Sequence, residues 1–252
     1  MAKTSGMNMR VFIDGYDIAN DVQSLSRIGG GPAVLEYTGV DKEAFERGGG
    51  RRDGAIEATT YFNPEAIATG GTADRAHVAL RTLPTTDRLV TVVHIPSGEA
   101  ANLVAKQINY DPSIANDGAF LLGVSALGNA YGLEWAKMLT AGKVTQGGAG
   151  NLASVDFGAG FAFGLQAHLH VFAFTGTSAT VKLQQSSDNG GADAFADVVG
   201  GAFTAATGRT TQRIETARNQ AVEQYLRVVT TGTFTNLVFA VTADVNKTST
   251  VF

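Results

Sequence analysis

The chain has 252 residues, 44% of them apolar, which is enough to form a packed core in one large β domain or in two ordinary ones. Its formal net charge of −4 argues against broad binding of nucleic acid or of anionic membranes, because such partners require clustered Lys and Arg. The absence of cysteine excludes disulfides, thiolate catalysis and Cys-based zinc sites.

The N-terminal segment predicts short strands separated by turns. It has no apolar run of signal-peptide length, and no stretch of the chain approaches the roughly 20 apolar residues of a membrane span, so we expect a soluble protein folded in the cytoplasm. Residues 10–18 (RVFIDGYDI) predict two strands joined by a turn at Asp14 and Gly15. The run GGGP at 29–32 is expected to end the element before it. Residues 55–62 (AIEATTYF) alternate like a strand.

Residues 41–54 are predicted to form a charged glycine loop that contacts another protein. The loop is not a P-loop, because that motif continues with Lys and Ser or Thr into a helix, whereas Gly54 opens a strand. Its acids and bases balance, so it cannot neutralise many phosphates. Mixed charge suits selective protein contacts, and the glycines allow reorganisation on docking; a solvated loop without a partner is the alternative. The candidate contact residues are Asp41, Lys42, Glu43, Glu46, Arg47, Gly48, Gly49, Gly50, Arg51, Arg52, Asp53 and Gly54.

One helix is predicted, over residues 72–83. Thr72 is a suitable N-cap, Asp74 lies in the first turn, and Pro84 ends the helix. Apolar residues at i, i+4 and i+7 give it a narrow apolar stripe. Three further strands are predicted at residues 89–95, 102–110 and 118–127, and residues 134–139 carry the single Trp.

The glycine-rich, nearly uncharged segment 144–151 is predicted to be a linker. Strand patterns of even spacing follow it, which is typical of an antiparallel sandwich, Ig-like or jelly-roll-like. The patterns therefore predict a mainly β protein with two domains: residues 1–143, which include the one predicted helix and for which the family resemblance given below implies a β-sandwich or barrel flanked by that helix, then the linker, and a C-terminal antiparallel β-sandwich (152–252). The C-terminal strands are predicted at residues 167–175, 180–187, 210–217, 224–231 and 236–243.

Catalytic and metal-binding patterns are weak in this sequence. His168 and His170 share one strand face, but zinc requires a third ligand and usually a fourth, so buried or sheet-face histidines are the simpler interpretation. The oxygen-rich segment 188–197 could supply calcium ligands, yet its spacing is not that of an EF-hand and its Asn-Gly step is first a turn signal. We therefore expect no catalytic residues, no metal, no cofactor and no enzymatic activity.

The N-terminal half resembles the major tail tube proteins of long-tailed bacteriophages. The resemblance rests on VFIDGYDIANDVQSL, followed by LEYTGVDKEAFERGGGRRDGAIEATTYF, in which a short strand, a charged glycine loop and an alternating strand succeed one another. The C-terminal run that begins SATVKLQQSSDNGG is similar to the β-sandwich at the end of some of these proteins, especially in phages of actinobacteria. Together the two likenesses cover most of the chain.

This resemblance implies a structural virion protein. Members of the family form hexameric rings from a β-sandwich with one flanking helix, and the rings stack into a tube through which viral DNA passes without specific binding. The helix at 72–83 would be the flanking helix, and the loop at 41–54 would reach the neighbouring subunit or ring. The implied partners are copies of the chain and other phage tail proteins, and the implied location is the virion tail, assembled in the host cytoplasm without a membrane.

Two other functions remain open from the sequence. The chain could decorate a capsid or tail, or the C-terminal sandwich could be an adhesion module that binds a host-surface glycan. Glycan sites use exposed aromatic rings as stacking platforms. The candidates are Phe195, Phe203 and Tyr225, for each of which burial in the core is the simpler interpretation.

Overall fold

A computed structural model describes residues 5–64, 75–83 and 85–249 of the protein. The described chain is nearly all β, as the composition and patterning predict, and every pairing between its strands is antiparallel. All of these strands join one hydrogen-bonded network, whose main path runs β14-β13-β16-β9-β6-β5-β1-β2.

The elements fall in two groups along the chain. The first consists of β1 (Met9–Ile13), β2 (Tyr16–Asp17), a 3-10 turn (Ala19–Asp21), β3 (Val22–Glu36), β4 (Arg47–Tyr61), helix α1 (Ala76–Leu80), β5 (Arg88–His94), β6 (Glu99–Gln107), β7 (Asp111–Ile114), β8 (Phe120–Gly128) and β9 (Glu134–Met138). The second consists of β10 (Val144–Gln146), β11 (Gly150–Asn151), β12 (Val155–Asp156), β13 (Leu165–Ser186), β14 (Ala196–Ala202), β15 (Thr210–Glu215) and β16 (Tyr225–Val245).

The N-terminal core forms where the first strands and the short helix meet. Asp14 (φ 49°) and Gly15 (φ 74°) make the predicted turn between β1 and β2, with both residues left-handed as a two-residue hairpin turn requires. Helix α1 buries Ala76 and Leu80 against this core, but it ends at Leu80, so Leu83 of the predicted stripe lies outside it and is 43% exposed. The predicted start of the helix, with Thr72 and Asp74, lies outside the described residues, as does Pro84.

The C-terminal core is built mainly from one long hairpin, β13–β16. The sequence predicts four separate strands here, but each pair is one continuous strand, because the ladder continues past both glycines: register shifts lie beside Gly176, and Gly232 pairs regularly with Ala179. A straight strand of 22 residues would span about 70 Å. Residues before and after the bulge, such as Leu169 and Val181, nevertheless line one core cluster, so the hairpin must bend near Gly176 and Gly232.

The two halves are joined by pairing of β9 with β16 and by packing. Residues 144–151, for which the composition predicts a linker, instead carry β10 and β11, both paired to β16. Glycine-rich backbone can still complete a sheet, since the ladder uses main-chain groups alone. A third apolar cluster connects β1, β5, β6, β9, β13 and β16; Phe12, Met138 and Phe172 are among its members. The division into two domains stays a prediction.

Candidate functional site

The hairpin of β3 and β4 extends beyond the strand that supports its base. Strands β3 and β4 pair from Val22 and Thr60 out to Glu36 and Arg47. Strand β8 supports β4 only as far as Ala55, so beyond that point the hairpin is two-stranded. We call residues 30–54 the arm. At about 3.3 Å per residue, its paired part projects about 20 Å, and nearly all of residues 30–47 are exposed.

The arm corrects two expectations from the sequence. The run at 29–32 does not end an element but lies inside β3, and residues 47–54 are not loop but strand β4. Glycine has a low strand propensity, yet pairing with a partner strand decides the structure here. The ring of Tyr37 lies over Gly48, where an added Cβ would come within 2.6 Å of the ring. Gly48 therefore makes room for an aromatic ring, a known means of stabilising glycine in a strand.

The twelve predicted contact residues divide between the tip and the shaft of the arm. Asp41, Lys42, Glu43 and Glu46 lie in the turn, where Lys42 Nζ is 3.3 Å from Glu46 Oε1. The remaining eight, Arg47 to Gly54, lie on β4. The twelve residues are therefore spread along the arm, from the tip to Gly54 at its base, and their role in assembly stays a prediction.

The arm also exposes apolar residues that are absent from the predicted contact set. Val34, Leu35, Tyr37, Val40 and Phe45 are all exposed, with Val40 fully so. Apolar side chains within a charged turn were the signal, since an exposed apolar patch marks an interaction surface. Keeping apolar surface in contact with water costs free energy, so the grouping of these side chains on the arm favours a contact with another molecule.

A cleft of about 490 Å³ opens at the base of the arm. The base is packed tightly there: Arg52 Nη2 donates to the carbonyl oxygen of Leu133 at 3.2 Å, and a Cβ added at Gly54 would lie 2.9 Å from Leu133 N. The cleft is lined by Arg51, Arg52, Gly128, Ala130, Tyr131, Gly132, Glu134, Arg213, Glu215 and Arg218. Four arginines against two glutamates make it basic, in contrast with the chain as a whole.

A buried charge network forms the floor of this cleft. Arg213 holds Glu134 in a bidentate pair, with Nη2 to Oε1 at 2.6 Å and Nε to Oε2 at 3.1 Å. His168 Nε2 lies 2.8 Å from Glu134 Oε2. Burial alone would raise the pKa of Glu134, but His168 and Arg213 outweigh it and lower that pKa to about 2. The Arg213 guanidinium also stacks 3.8 Å from the centre of the Tyr131 ring.

The two histidines considered for zinc are core residues. Burial lowers the pKa of His168 despite the opposing effect of Glu134, and burial together with the nearby His168 lowers that of His170 to about 3. His170 Nδ1 accepts from Gly15 N at 3.4 Å, so its Nε2 carries the proton donated to Thr91 Oγ1 at 2.8 Å. Among residues 5–64, 75–83 and 85–249, no group of three or more His, Asp or Glu side chains is placed to hold a metal.

The carboxylates of the oxygen-rich segment 188–197 are bonded to neighbouring groups of the chain itself. The Asp188 carboxylate accepts the backbone N–H groups of Gly191, Ala192 and Asp193, as a turn-stabilising aspartate does. Asp197 pairs with Lys182, Nζ to Oδ2 at 2.6 Å. These carboxylates therefore serve the turn and strand β14.

The three aromatic residues considered for glycan binding do not form one platform. Phe203 is 2% exposed and belongs to the C-terminal core, so it presents no ring face to a sugar. The Arg227 guanidinium covers Phe195 at 4.0 Å from the ring centre. Tyr225 is half-buried at the start of β16.

No protein family model matches the chain, and no curated protein matches it. The chain is similar to the solved structure of the phage SPP1 Dit protein, described as a paradigm of the hub adsorption apparatus in phages that infect Gram-positive bacteria. The two share 13% sequence identity, the match covers 94% of this chain and 98% of that one, and the TM-score is 0.33. It is also similar to chains of the phage p2 baseplate in its activated conformation with strontium (9% identity, 96% and 99% coverage) and with calcium (11% identity, 97% and 100% coverage), each at a TM-score of 0.33.

These three neighbours are solved hub and baseplate proteins of phages. At a TM-score of 0.33 they say nothing about which residues act or how, and those questions are decided by the arm and the cleft. Of the helices in the described part of the chain, none is long and apolar enough to cross a membrane.

Proposed function

We propose that the protein is a structural subunit of a phage tail that assembles with copies of itself through the arm. The observation that carries the proposal is the arm itself, a hairpin without a third strand whose tip exposes Val40 and Phe45. A two-stranded hairpin is only marginally stable alone. Its exposed apolar residues gain free energy when a partner covers them, so both features favour a subunit whose arm is completed by another subunit.

Within this role we propose the tail tube: hexameric rings that stack into a conduit for viral DNA, in the virion tail, after assembly in the host cytoplasm. The resemblance of the sequence to major tail tube proteins supports this finer assignment. The net charge of −4 is compatible with it, because a conduit must not retain the DNA that passes through it. Other tail proteins are its further partners, and the role is structural rather than catalytic.

Electron microscopy of the concentrated, negatively stained protein tests this function. The full-length chain should form stacked rings or tubes. A shortened variant, in which Asn-Gly replaces residues 32–52 between Gly31 and Asp53, should remain folded but form none, because Gly31 and Asp53 already face each other across the hairpin. The matched control is Ile114→Ser with Val199→Ser, which changes two exposed apolar residues outside the arm.

The control should assemble like the unmodified protein. Rings or tubes formed by the shortened variant would contradict the role of the arm. Single subunits alone from the unmodified chain at high concentration would contradict self-assembly.

A further inference from the structure

We infer that the basic cleft at the base of the arm receives the acidic, apolar arm tip of a second copy of this chain. This inference rests on the proposed self-assembly and adds the receiving surface to it. The juxtaposition is head-to-tail, so each subunit offers one tip and one cleft. Such a contact repeats from copy to copy and either closes a ring or continues as an open helix.

Charge is the first observation that pairs these two surfaces. The tip, residues 37–46, carries three carboxylates and one lysine, and remains acidic even with Arg47, whose guanidinium lies 4.6 Å from the centre of the Phe45 ring; the cleft has four arginines and two glutamates. Lys42 and Glu46 already pair with each other at the tip. That leaves Asp41 and Glu43, which have no hydrogen-bond or ion-pair partner within the described residues, as the available acids.

The cleft has a matching available base. Arg213, Arg218 and Arg52 are committed to Glu134, Glu215 and the Leu133 carbonyl respectively. Arg51 is exposed and forms neither a hydrogen bond nor an ion pair with any described side chain. Opposite charges that are unpaired on separate surfaces of one chain favour a specific register when the surfaces meet.

Apolar character is the second observation. Phe45 and Val40 at the tip are 66% and fully exposed, and the cleft presents Tyr131, which is 42% exposed with one ring face on Arg213. Aromatic rings and arginines that surround an apolar pocket are the usual anchors of protein interfaces. A volume of about 490 Å³ accommodates a few side chains, as a protruding tip would supply.

The geometry prevents a subunit from filling its own cleft. Arg51 and Arg52 lie at the base of the same hairpin whose tip is about 20 Å further out, at 3.3 Å per residue along the strands. The strands are held in register between tip and base by their pairing. The tip that reaches the cleft therefore belongs to another copy.

A mixing experiment tests this pairing on the full-length chain by analytical ultracentrifugation. The tip variant is Glu43→Gln with Phe45→Ala, and the cleft variant is Arg51→Gln with Tyr131→Ala, so that the two altered surfaces cannot form a new ion pair with each other. Each alone should raise the apparent dissociation constant of self-association by about tenfold or more, which corresponds to 1.4 kcal/mol or more. An equimolar mixture should form a heterodimer and nothing larger, since only one intact tip and one intact cleft remain in each pair.

The outcomes separate this inference from the proposed function. If the unmodified chain does not self-associate, the proposed function fails. If it does, and the cleft variant assembles as well as the unmodified chain, the arm acts without the cleft and this inference is overturned. A mixture that stays monomeric, when both variants fold by circular dichroism, also overturns it, because arm-to-arm pairing would require two intact tips.

Discussion

Arg213 and Glu134 form a bidentate ion pair that joins strand β15 of the C-terminal half to strand β9 of the N-terminal half, with 2.6 Å between Nη2 and Oε1. Both side chains are less than a tenth exposed. His168 completes the site from β13, so three strands meet at one carboxylate. This network therefore holds two features in place at once: the floor of the cleft and the junction of the two halves.

Replacing Arg213 should destabilise the fold severely. Arg213→Met leaves the Glu134 carboxylate buried without its main partner, which typically costs about 3–5 kcal/mol. Urea unfolding followed by tryptophan fluorescence measures the change. Adding Glu134→Gln to Arg213→Met should recover part of the loss, because the buried charge is then removed.

A surface ion pair provides the control for Arg213. Lys182 and Asp197 lie 2.6 Å apart, but Asp197 is 54% exposed. Lys182→Met should therefore change the free energy of unfolding by no more than about 1 kcal/mol. Equal costs for Lys182→Met and Arg213→Met would contradict the structural role assigned to the buried pair.

Replacing Asp244 should stabilise the protein at neutral and alkaline pH. Burial first, and then the charge of Glu134, raises the pKa of Asp244 from 3.8 to about 6. A raised carboxyl pKa means that stability is lost as pH rises from about 3.8 through about 6. Asp244→Asn removes this penalty, so at pH 8 it should add up to about 3 kcal/mol, at 1.36 kcal/mol for each pKa unit.

The gain from Asp244→Asn should vanish at pH 3.5, where the native aspartate is already protonated. Unfolding free energies of both proteins at pH 8 and pH 3.5 provide the comparison. Asp41→Asn, at the exposed arm tip, is the control and should leave stability unchanged at both values. A stabilisation of equal size at the two pH values would assign the effect to something other than the charge.

The sequence pattern predicted elements whose structure is determined by residues adjacent in the chain. The turn at Asp14 and Gly15 is recognisable because the two-residue hairpin chemistry is carried by adjacent residues. Strand β5 is recognisable because LVTVV is a short run of mostly apolar, β-branched residues, and the structure buries almost all of the strand. Both predictions are confirmed without knowledge of a partner strand.

Features that depend on distant partners were not predictable. Residues 47–54 became strand because β3 pairs with them, and Gly176 became a bulge because β16 continues past it. In each case the sequence shows glycine, and the tertiary pairing overrides its local preference. The Glu134 network was hidden for the same reason, since Arg213 lies 79 positions further along the chain.

The pH dependence of stability in mild acid should be carried in part by His170. Burial and the neighbouring His168 lower the pKa of His170 to about 3, so the native protein keeps this ring neutral. An unfolded histidine titrates near 6.5, and stability therefore falls as pH decreases from 6.5 towards 3. By pH 5 this single group accounts for about 2 kcal/mol, at 1.36 kcal/mol for each pH unit.

Thermal or urea unfolding between pH 7.5 and pH 5 tests the contribution of His170. His170→Gln should be less stable than the unmodified protein at pH 7.5, because the bonds to Gly15 and Thr91 are altered, but its stability should fall less steeply with acid. His94→Gln, at a half-buried histidine of the same sheet that lies outside this network, is the comparison variant. Parallel curves for His170→Gln and the unmodified protein would contradict the assignment.

Gly15 couples the first hairpin to the C-terminal half, and its replacement should cost more than its backbone angle alone explains. At φ 74° an alanine is strained by about 1–2 kcal/mol. A Cβ at this position would also lie 2.5 Å from the carbonyl oxygen of Val171, where overpacking adds about 1–3 kcal/mol. Gly98 has a similar φ of 69° but no atom within 4 Å of an added Cβ, so Gly98→Ala isolates the strain. Urea unfolding should place Gly15→Ala at least about 1 kcal/mol below Gly98→Ala; equal stabilities would mean that the turn does not dock tightly on β13.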